Sequence, residues 1–379
     1  MKILFVSMPS IHFTRWVENL KDTNYELYWF DVLNRGKIKE LNTVVQFTDW
    51  KERKIKPIKG EYFLYKKLPK LHELVAPYLE KTANETLEEI LLEIQPDIVH
   101  SFEMQGCSYP ILKIMNKFNN IKWIYSCWGS DLYYYKNFKS HYSKIKNVLK
   151  RIDYLITDCE RDYLIAKDLG FVNSFLGVIP GGAGFKIEEL QSSKLPVSER
   201  KIILIKGYEH NFGRGLNVVK AIEQIDLITQ KYQIVVFGAH NSIASYVKDK
   251  KLNFKVYSRH GLSHNEVLSL MGKSLLYIGN SISDGLPNSL LEAIVMGAFP
   301  IQSNPGGVTA EIIDNGINGL LINEPNNIEL IRDLVLSVLG DFKLIDTAFN
   351  LNLKIAQDKL DYSINNKKST DLYNEVIIS

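Results

Sequence analysis

The chain has 379 residues, 45% hydrophobic and 23% charged: a length suited to two ordinary cores and a balance that excludes disorder and fibres. A formal net charge of +3 is too mild to argue for nucleic acid, and no apolar run approaches the roughly 18 residues of a membrane span. Cys107, Cys127 and Cys159 are odd in number, far apart and without a C-x-x-C pair, which argues against a disulfide framework and against a zinc site. Met1 to Ser7 carries one lysine and no small-residue cleavage site, so it reads as a first buried strand and not a signal peptide. The expected location is cytoplasmic.

Short apolar runs then alternate with helical stretches, the pattern of parallel sheets covered by helices. Strands are expected over 2–7, 26–30, 97–101, 122–126, 153–157 and 174–179, with the clearest helix of this half over 80–94, stopped by Gln95-Pro96. Two basic stretches fall in the same half. One runs from Lys51 to Lys70, offset only by Glu52 and Glu61; the other runs from Met104 to Arg151, with Asp131 as its only acid. The plain reading of such runs is a solvated lysine face. Pro180-Gly-Gly-Ala-Gly184 and the polar stretch after it mark a boundary. A second series of strands follows over 201–205, 233–237, 253–257, 275–278 and 299–302, with helices over 216–229, 265–271, 288–296 and 327–339. Two doubly wound sheets of this kind bind ligands at the carboxyl ends of their strands, so a site in a cleft between two lobes is expected.

The segment Ser281-Ile-Ser-Asp284-Gly-Leu-Pro-Asn-Ser-Leu-Leu-Glu292-Ala carries the most chemistry. A strand gives way to a loop with Asp284 and Gly285, and a helix begins near Pro287, a residue that suits a first turn. Gly285 lets the backbone approach a ligand closely, and the free amides of Leu286, Asn288 and Ser289 make an anion cradle suited to a diphosphate. Asp284 and Glu292, one on the loop and one two turns into the helix, can face the two ends of a ligand, and a carboxylate accepting two hydroxyls suits a ribose diol. The plain alternative is a capping acid and a solvated helix glutamate.

With Gly297-Ala-Phe-Pro-Ile-Gln-Ser303, Gly306-Gly307, Glu311-Ile-Ile and Asn315-Gly-Ile-Asn-Gly-Leu-Leu321, this segment resembles the retaining glycosyltransferases of family 4. The likeness is gap-free there and looser over 207–222, 128–132 and 351–376. It implies the GT-B fold: a Rossmann-like acceptor domain over 1–185, a donor domain over 198–350, and a helical segment over 351–379 that returns to the first domain. It implies a nucleotide diphosphate sugar as donor and no cofactor. Glu292 is similar to the glutamate that holds the nucleotide ribose. Asp284 stands, one methylene short, where the family's first glutamate contacts the transferred sugar.

Around the donor diphosphate the family places an arginine and, six residues on, a lysine. Arg214 matches the second and Tyr208 stands at the first, leaving Lys206 or His210 to supply the missing charge. In the first domain the family's glycine pair is absent, and His12 and Arg15 stand nearby instead. His100 fits the first position of an H-x-H pattern whose second is Phe102, with Glu103 beside it; Asp131 ends another strand and is offered to a sugar hydroxyl or the acceptor. The plain reading of His12 and His100 is a structural histidine. His260 and His264 are loop and helix-cap residues, with 259–263 near the nucleotide base. No D-x-D metal pair and no dinucleotide glycine fingerprint occurs.

The expected reaction is therefore a metal-independent, retaining sugar transfer to a saccharide hydroxyl in bacterial cell-surface polysaccharide or lipopolysaccharide synthesis. The alternatives are a nucleotide-sugar 2-epimerase of the same fold and a non-catalytic nucleotide-sugar-binding protein. If the acceptor is lipid-linked, the basic, aromatic-rich stretch from Tyr133 to Arg151 is the expected contact with anionic membrane at its inner face. No nucleic acid is expected as a partner.

Overall fold

The computed structural model describes residues 1–179, 184–226 and 228–378, without the side chains of Lys70 and Glu73. Pro180 to Ala183, the centre of the expected boundary, lie outside these described residues. The chain forms two compact units. Unit 1 comprises Met1–Thr157, Tyr163–Gly177 and Ser369–Ser379; unit 2 comprises Asp158–Asp162 and Val178–Lys368. Two features of that division differ from the sequence expectation. A five-residue piece of the first half belongs to unit 2, and of the terminal segment only the part from Ser369 belongs to unit 1.

Unit 1 is built on strands β1 (Lys2–Ser7), β2 (Glu26–Asp31), β3 (Val45–Phe47), β4 (Ile98–Phe102), β5 (Lys122–Ser126), β6 (Tyr154–Thr157) and β7 (Ser174–Val178). They lie in the order β3-β2-β1-β4-β5-β6-β7. Val6 pairs in parallel with Phe30 on one side and Ser101 on the other. Helix Ala83–Ile94 starts at a capping box in which Thr82 and Glu85 satisfy each other's amides, and it ends at Gln95 with φ 48° before Pro96. The end of the chain is sewn into this unit by polar bonds. Tyr373 accepts the indole N–H of Trp16 at 2.7 Å and bonds His100 Nδ1 at 2.6 Å, while Asn19 donates to Ser369 at 3.0 Å.

Unit 2 carries β8 (Ile202–Lys206), β9 (Gln233–Ala239), β10 (Phe254–Ser258), β11 (Ser274–Gly279), β12 (Phe299–Ser303) and β13 (Leu320–Ile322), in the order β10-β9-β8-β11-β12-β13. The reversal of strand order between β8 and β11 puts the ends of those neighbours side by side, which is where open sheets of this type carry their sites. Two edge strands, β3 and β13, were not expected from the sequence, and the expected helix over 216–229 is two pieces, Gly215–Glu223 and Ile228–Lys231. Helix Asn288–Met296 is buried from Leu290 to Met296 and ends at Gly297, whose φ of 75° needs a glycine. Arg200 holds that end, donating to the carbonyls of Gly297 at 2.6 Å and Met296 at 3.2 Å, where a cation complements the helix dipole.

Candidate active site

In unit 2 the ends of β8 and β11 carry two loops, 207–214 and 280–287, locked into one platform. Arg214 N donates to Asn280 O at 2.9 Å and Ile282 N to Phe212 O at 2.9 Å. Gly213 is required there, since a Cβ would stand 2.4 Å from the Tyr208 carbonyl oxygen. From the second loop the chain turns at Pro287, which is the N-cap of helix Asn288–Met296 rather than its first helical residue. Ser289, in the first turn, accepts the Tyr277 hydroxyl at 2.9 Å. One turn deeper Glu292 is 7% exposed, and its Oε1 bonds His264 Nε2 at 2.8 Å. His264 opens helix His264–Lys273, which Ser263 and Glu266 cap reciprocally, so the ring is carried by a fixed helix start.

Lys206, the last residue of β8, supplies the positive charge. Burial pulls its pKa down, but Tyr277, Asp284, Tyr208 and Glu292 together hold it above the ordinary lysine value. Burial pushes the Asp284 carboxyl up, against the pull of Lys206, Arg161 and the Gly285 amide. Lys206 is thus a cation within electrostatic reach of both carboxylates, Asp284 on the loop and Glu292 on the helix. Tyr208, which stands where the family has an arginine, lies with its ring 4.7 Å from the Lys206 ammonium and 5.6 Å from the Arg259 guanidinium. Arg214 takes a different place. Its guanidinium lies along its own loop, donating to Gly213 O at 2.6 Å, Asn211 O at 3.3 Å and Asn326 Oδ1 at 3.3 Å. His210 is driven down to about 4 by burial and by His240, Lys206, Arg259 and Arg214, so it is neutral at pH 7 and does not supply the missing charge.

The loop also has a partner the sequence did not reveal. Leu286 N, one of the expected ligand amides, donates to Asp158 Oδ2 at 3.1 Å. Arg161 donates to Asp284 O at 2.8 Å and to Pro305 O at 2.7 Å, and it is paired with Asp162. Glu311 in turn accepts the amides of Glu160 at 2.8 Å and Arg161 at 2.9 Å. The only signal for this segment was its charge density, D-C-E-R-D, directly after a strand. Ligand atoms of Asp158, Cys159 and Asp162 lie within 4.8 Å of one another. They do not suit a divalent cation, because the Arg161 guanidinium already sits among them and the Cys159 thiol is pushed far up by burial and by Asp158 and Asp162.

The unit 1 candidates divide sharply. Asp131, expected to meet an acceptor, is 3% exposed and accepts from Tyr125 Oη at 2.6 Å, Trp128 N at 3.0 Å, Cys127 Sγ at 3.1 Å and Met104 N at 3.2 Å. It is a buried organiser of the loops after β4 and β5, with no face left for a sugar. His100 is corrected likewise: it is fully buried, with Nδ1 on Tyr373 and Nε2 on Ser126 at 2.8 Å. Glu103 is different. It holds φ 69°, strained for a residue with a side chain, and its carboxylate accepts the amides of Gln105 and Gly106. Burial and the nearby Asp131 push its pKa up to about 7. His12 and Arg15 lie one turn apart on helix Ile11–Glu18, and the His12 ring stands 5.3 Å from that of Trp128.

Residues 2–159 match the family described as glycosyl transferase 4-like, and residues 186–346 match glycosyl transferases group 1. Together the two matches take in most of the chain, leaving out chiefly 160–185 and 347–379. The chain belongs to the glycosyltransferases. No curated protein matches it significantly in sequence. Among solved structures this glycosyltransferase is similar to a glycosyltransferase from Rickettsia africae, at 16% identity over 99% of this chain and 98% of that one, with a TM-score of 0.68. It is also similar to sucrose-phosphate synthase from Thermosynechococcus elongatus, at 13% identity over 100% and 99%, with a TM-score of 0.73. HepE from Anabaena, in complex with UDP-glucose, is 15% identical over 99% and 100%, with a TM-score of 0.67. The two family matches, the two parallel sheets and these structural likenesses give the enzyme the GT-B fold.

Proposed function

We propose that unit 2 binds a nucleoside diphosphate sugar and that the enzyme moves its sugar, with retention and without a metal ion, to a hydroxyl of a saccharide acceptor. The observation that carries this reading is the grouping of Asp284, Lys206 and Glu292 at the start of helix Asn288–Met296. Glu292 suits the ribose diol, Asp284 the hydroxyls of the transferred sugar, and Lys206 the charge that the diphosphate gains as the glycosidic bond breaks. The remaining proposed donor contacts are Gly285, Leu286, Pro287, Asn288, Ser289, Tyr208 and Arg214. Leu286 N becomes available to a phosphate only once it leaves Asp158. The UDP-glucose bound by HepE makes uridine the base to try first.

The leaving phosphate oxygen can take the acceptor proton. Glu103, titrating near neutral pH, is the side chain of unit 1 best suited to share that task, with His12 and Arg15 as neighbours of the acceptor. The acceptor class fitting the family is a saccharide of bacterial surface polysaccharide assembly. A panel of nucleotide sugars, with product analysis with and without saccharide acceptors and with EDTA, tests the reading. Transfer that survives EDTA supports it; isomerised donor with no glycosylated product assigns the enzyme to epimerisation instead.

A further inference from the structure

One part of unit 1 is used neither by the sheet core nor by the chemistry above. Helix Glu61–Lys67 has no buried residue. Tyr62, Phe63 and Tyr65 stand in water at 68%, 60% and 61% exposure. On the following helix, Pro69–Leu79, the exposed apolar residues Leu71, Leu74 and Tyr78 recur at the spacing of one helix face. Scattered apolar side chains are ordinary on a protein surface; so many large ones on two consecutive helices mark an interaction face.

Charge identifies the partner. At the base of the pair the cations are neutralised: Lys51 meets Glu80 at 2.8 Å, Lys54 meets Glu85 at 2.5 Å and Arg53 meets Glu61. From Tyr62 to Leu79 the sequence has a single acid, Glu73, and Lys56, Lys59, Lys66 and Lys67 are all exposed. The Lys66 ammonium lies 4.8 Å over the Tyr62 ring. This face asks for apolar surroundings and for anions within a few ångströms of each other. An anionic bilayer surface offers both: acyl chains for Phe and Leu, the headgroup boundary for Tyr, and phosphates for Lys. Among the described residues no helix is long and apolar enough to cross a membrane, so such a contact lies on the surface.

We infer that the helical pair Glu61–Lys67 and Pro69–Leu79 is an element that docks on anionic lipid. This moves the membrane contact away from the stretch that the sequence favoured. That stretch also exposes Phe138, Tyr142, Lys139 and Lys144, but its aliphatic residues Ile145, Val148 and Leu149 turn into the core, whereas Leu71 and Leu74 of the helical pair face solvent. The inference is independent of the proposed sugar transfer.

Vesicle co-sedimentation of the full chain tests it. The wild type binds phosphatidylcholine–phosphatidylglycerol vesicles, binds phosphatidylcholine alone far less, and is released by salt. Lys66→Gln with Lys67→Gln weakens binding about tenfold or more, and Tyr62→Ser with Phe63→Ser weakens it further, with unchanged melting points. Lys144→Gln with Lys146→Gln leaves it unaltered. No binding by the folded wild type, equal binding by the Lys66/Lys67 variant, or loss on altering Lys144 and Lys146 instead overturns the inference. So does a dimer that Leu74→Ser dissociates in the absence of any vesicle binding, which assigns the face to a second copy.

Discussion

Asp158 and Leu286, 128 residues apart in sequence, are joined by a hydrogen bond of 3.1 Å from amide to carboxylate. Gly285 between Asp284 and Leu286 exists to permit it: a Cβ there would stand 2.1 Å from Asp158 Oδ2. Gly285→Ala therefore breaks the Asp158 contact that holds the loop carrying Asp284, by moving either the Asp158 carboxylate or the loop itself. The expected loss in kcat/KM for donor is about a hundredfold, since a shift of an ångström at a reacting group has that effect. Steady-state rates beside a circular dichroism spectrum check it; a folded variant at wild-type rate contradicts the close approach.

Removing the cation tests the electrostatics. Lys206→Met keeps the side chain's bulk and loses its charge, so kcat is expected to fall roughly 10²–10³-fold. Because Lys206 holds the Asp284 carboxyl down against burial, its loss raises that pKa further. Activity that needs ionised Asp284 is then lost at a higher pH than in the wild type, an upward move of the acid limb that a pH–rate profile reads directly.

The parts of this arrangement that were legible in the sequence are those set by local punctuation. Pro287 and Gly297 bracket a helix, and Asp284 and Glu292 are placed by counting along it. What was illegible depends on long-range packing. Asp158 and Arg161 reach the loop only through the tertiary fold, and the sequence offered two ways to replace the missing cation without saying that burial would neutralise His210 and leave Lys206 charged. Asp131 and His100 show the converse difficulty. Both stand at or near strand ends, as site residues do, but strand ends also need polar groups to satisfy buried amides and hydroxyls. Strands β3 and β13 escaped notice because three residues at a sheet edge leave too short a pattern to read.

Glu103 makes a prediction about stability. Its pKa rises from 4.5 to about 7 on folding, so between those values the folded chain holds a proton that the unfolded chain has released. Its contribution to stability is therefore full below pH 4.5 and is lost as pH rises through 7, by up to about 3 kcal/mol. Glu103→Gln removes this dependence. Denaturant midpoints of wild type and variant should diverge in the variant's favour between pH 5 and pH 8; parallel profiles contradict the shifted pKa.

The terminal helix is predicted to stabilise unit 1 through one hydroxyl. Tyr373→Phe leaves the buried Trp16 indole without its acceptor and His100 Nδ1 without its partner. The expected cost is about 1–3 kcal/mol, read as a lowered denaturation midpoint. Activity below that midpoint should be largely retained, because none of these groups faces a substrate.

Under the proposed function Glu292, oriented by His264, holds a nucleotide ribose beside Asp284 and Lys206. Calorimetric titration of UDP into the wild type, Glu292→Ala and His264→Ala, repeated with 2′-deoxy-UDP, tests it most directly, with GDP and ADP as further probes of the base. The wild type is expected to bind at least one ribonucleotide and to discriminate against its deoxy form. Glu292→Ala should lose about tenfold or more in affinity, consistent with a charge-assisted bond of about 1.5–3 kcal/mol, and lose the discrimination with it; His264→Ala should fall between. Binding of the ribo and deoxy forms by Glu292→Ala that matches the wild type, or no nucleotide binding at all by the folded wild type, would contradict it.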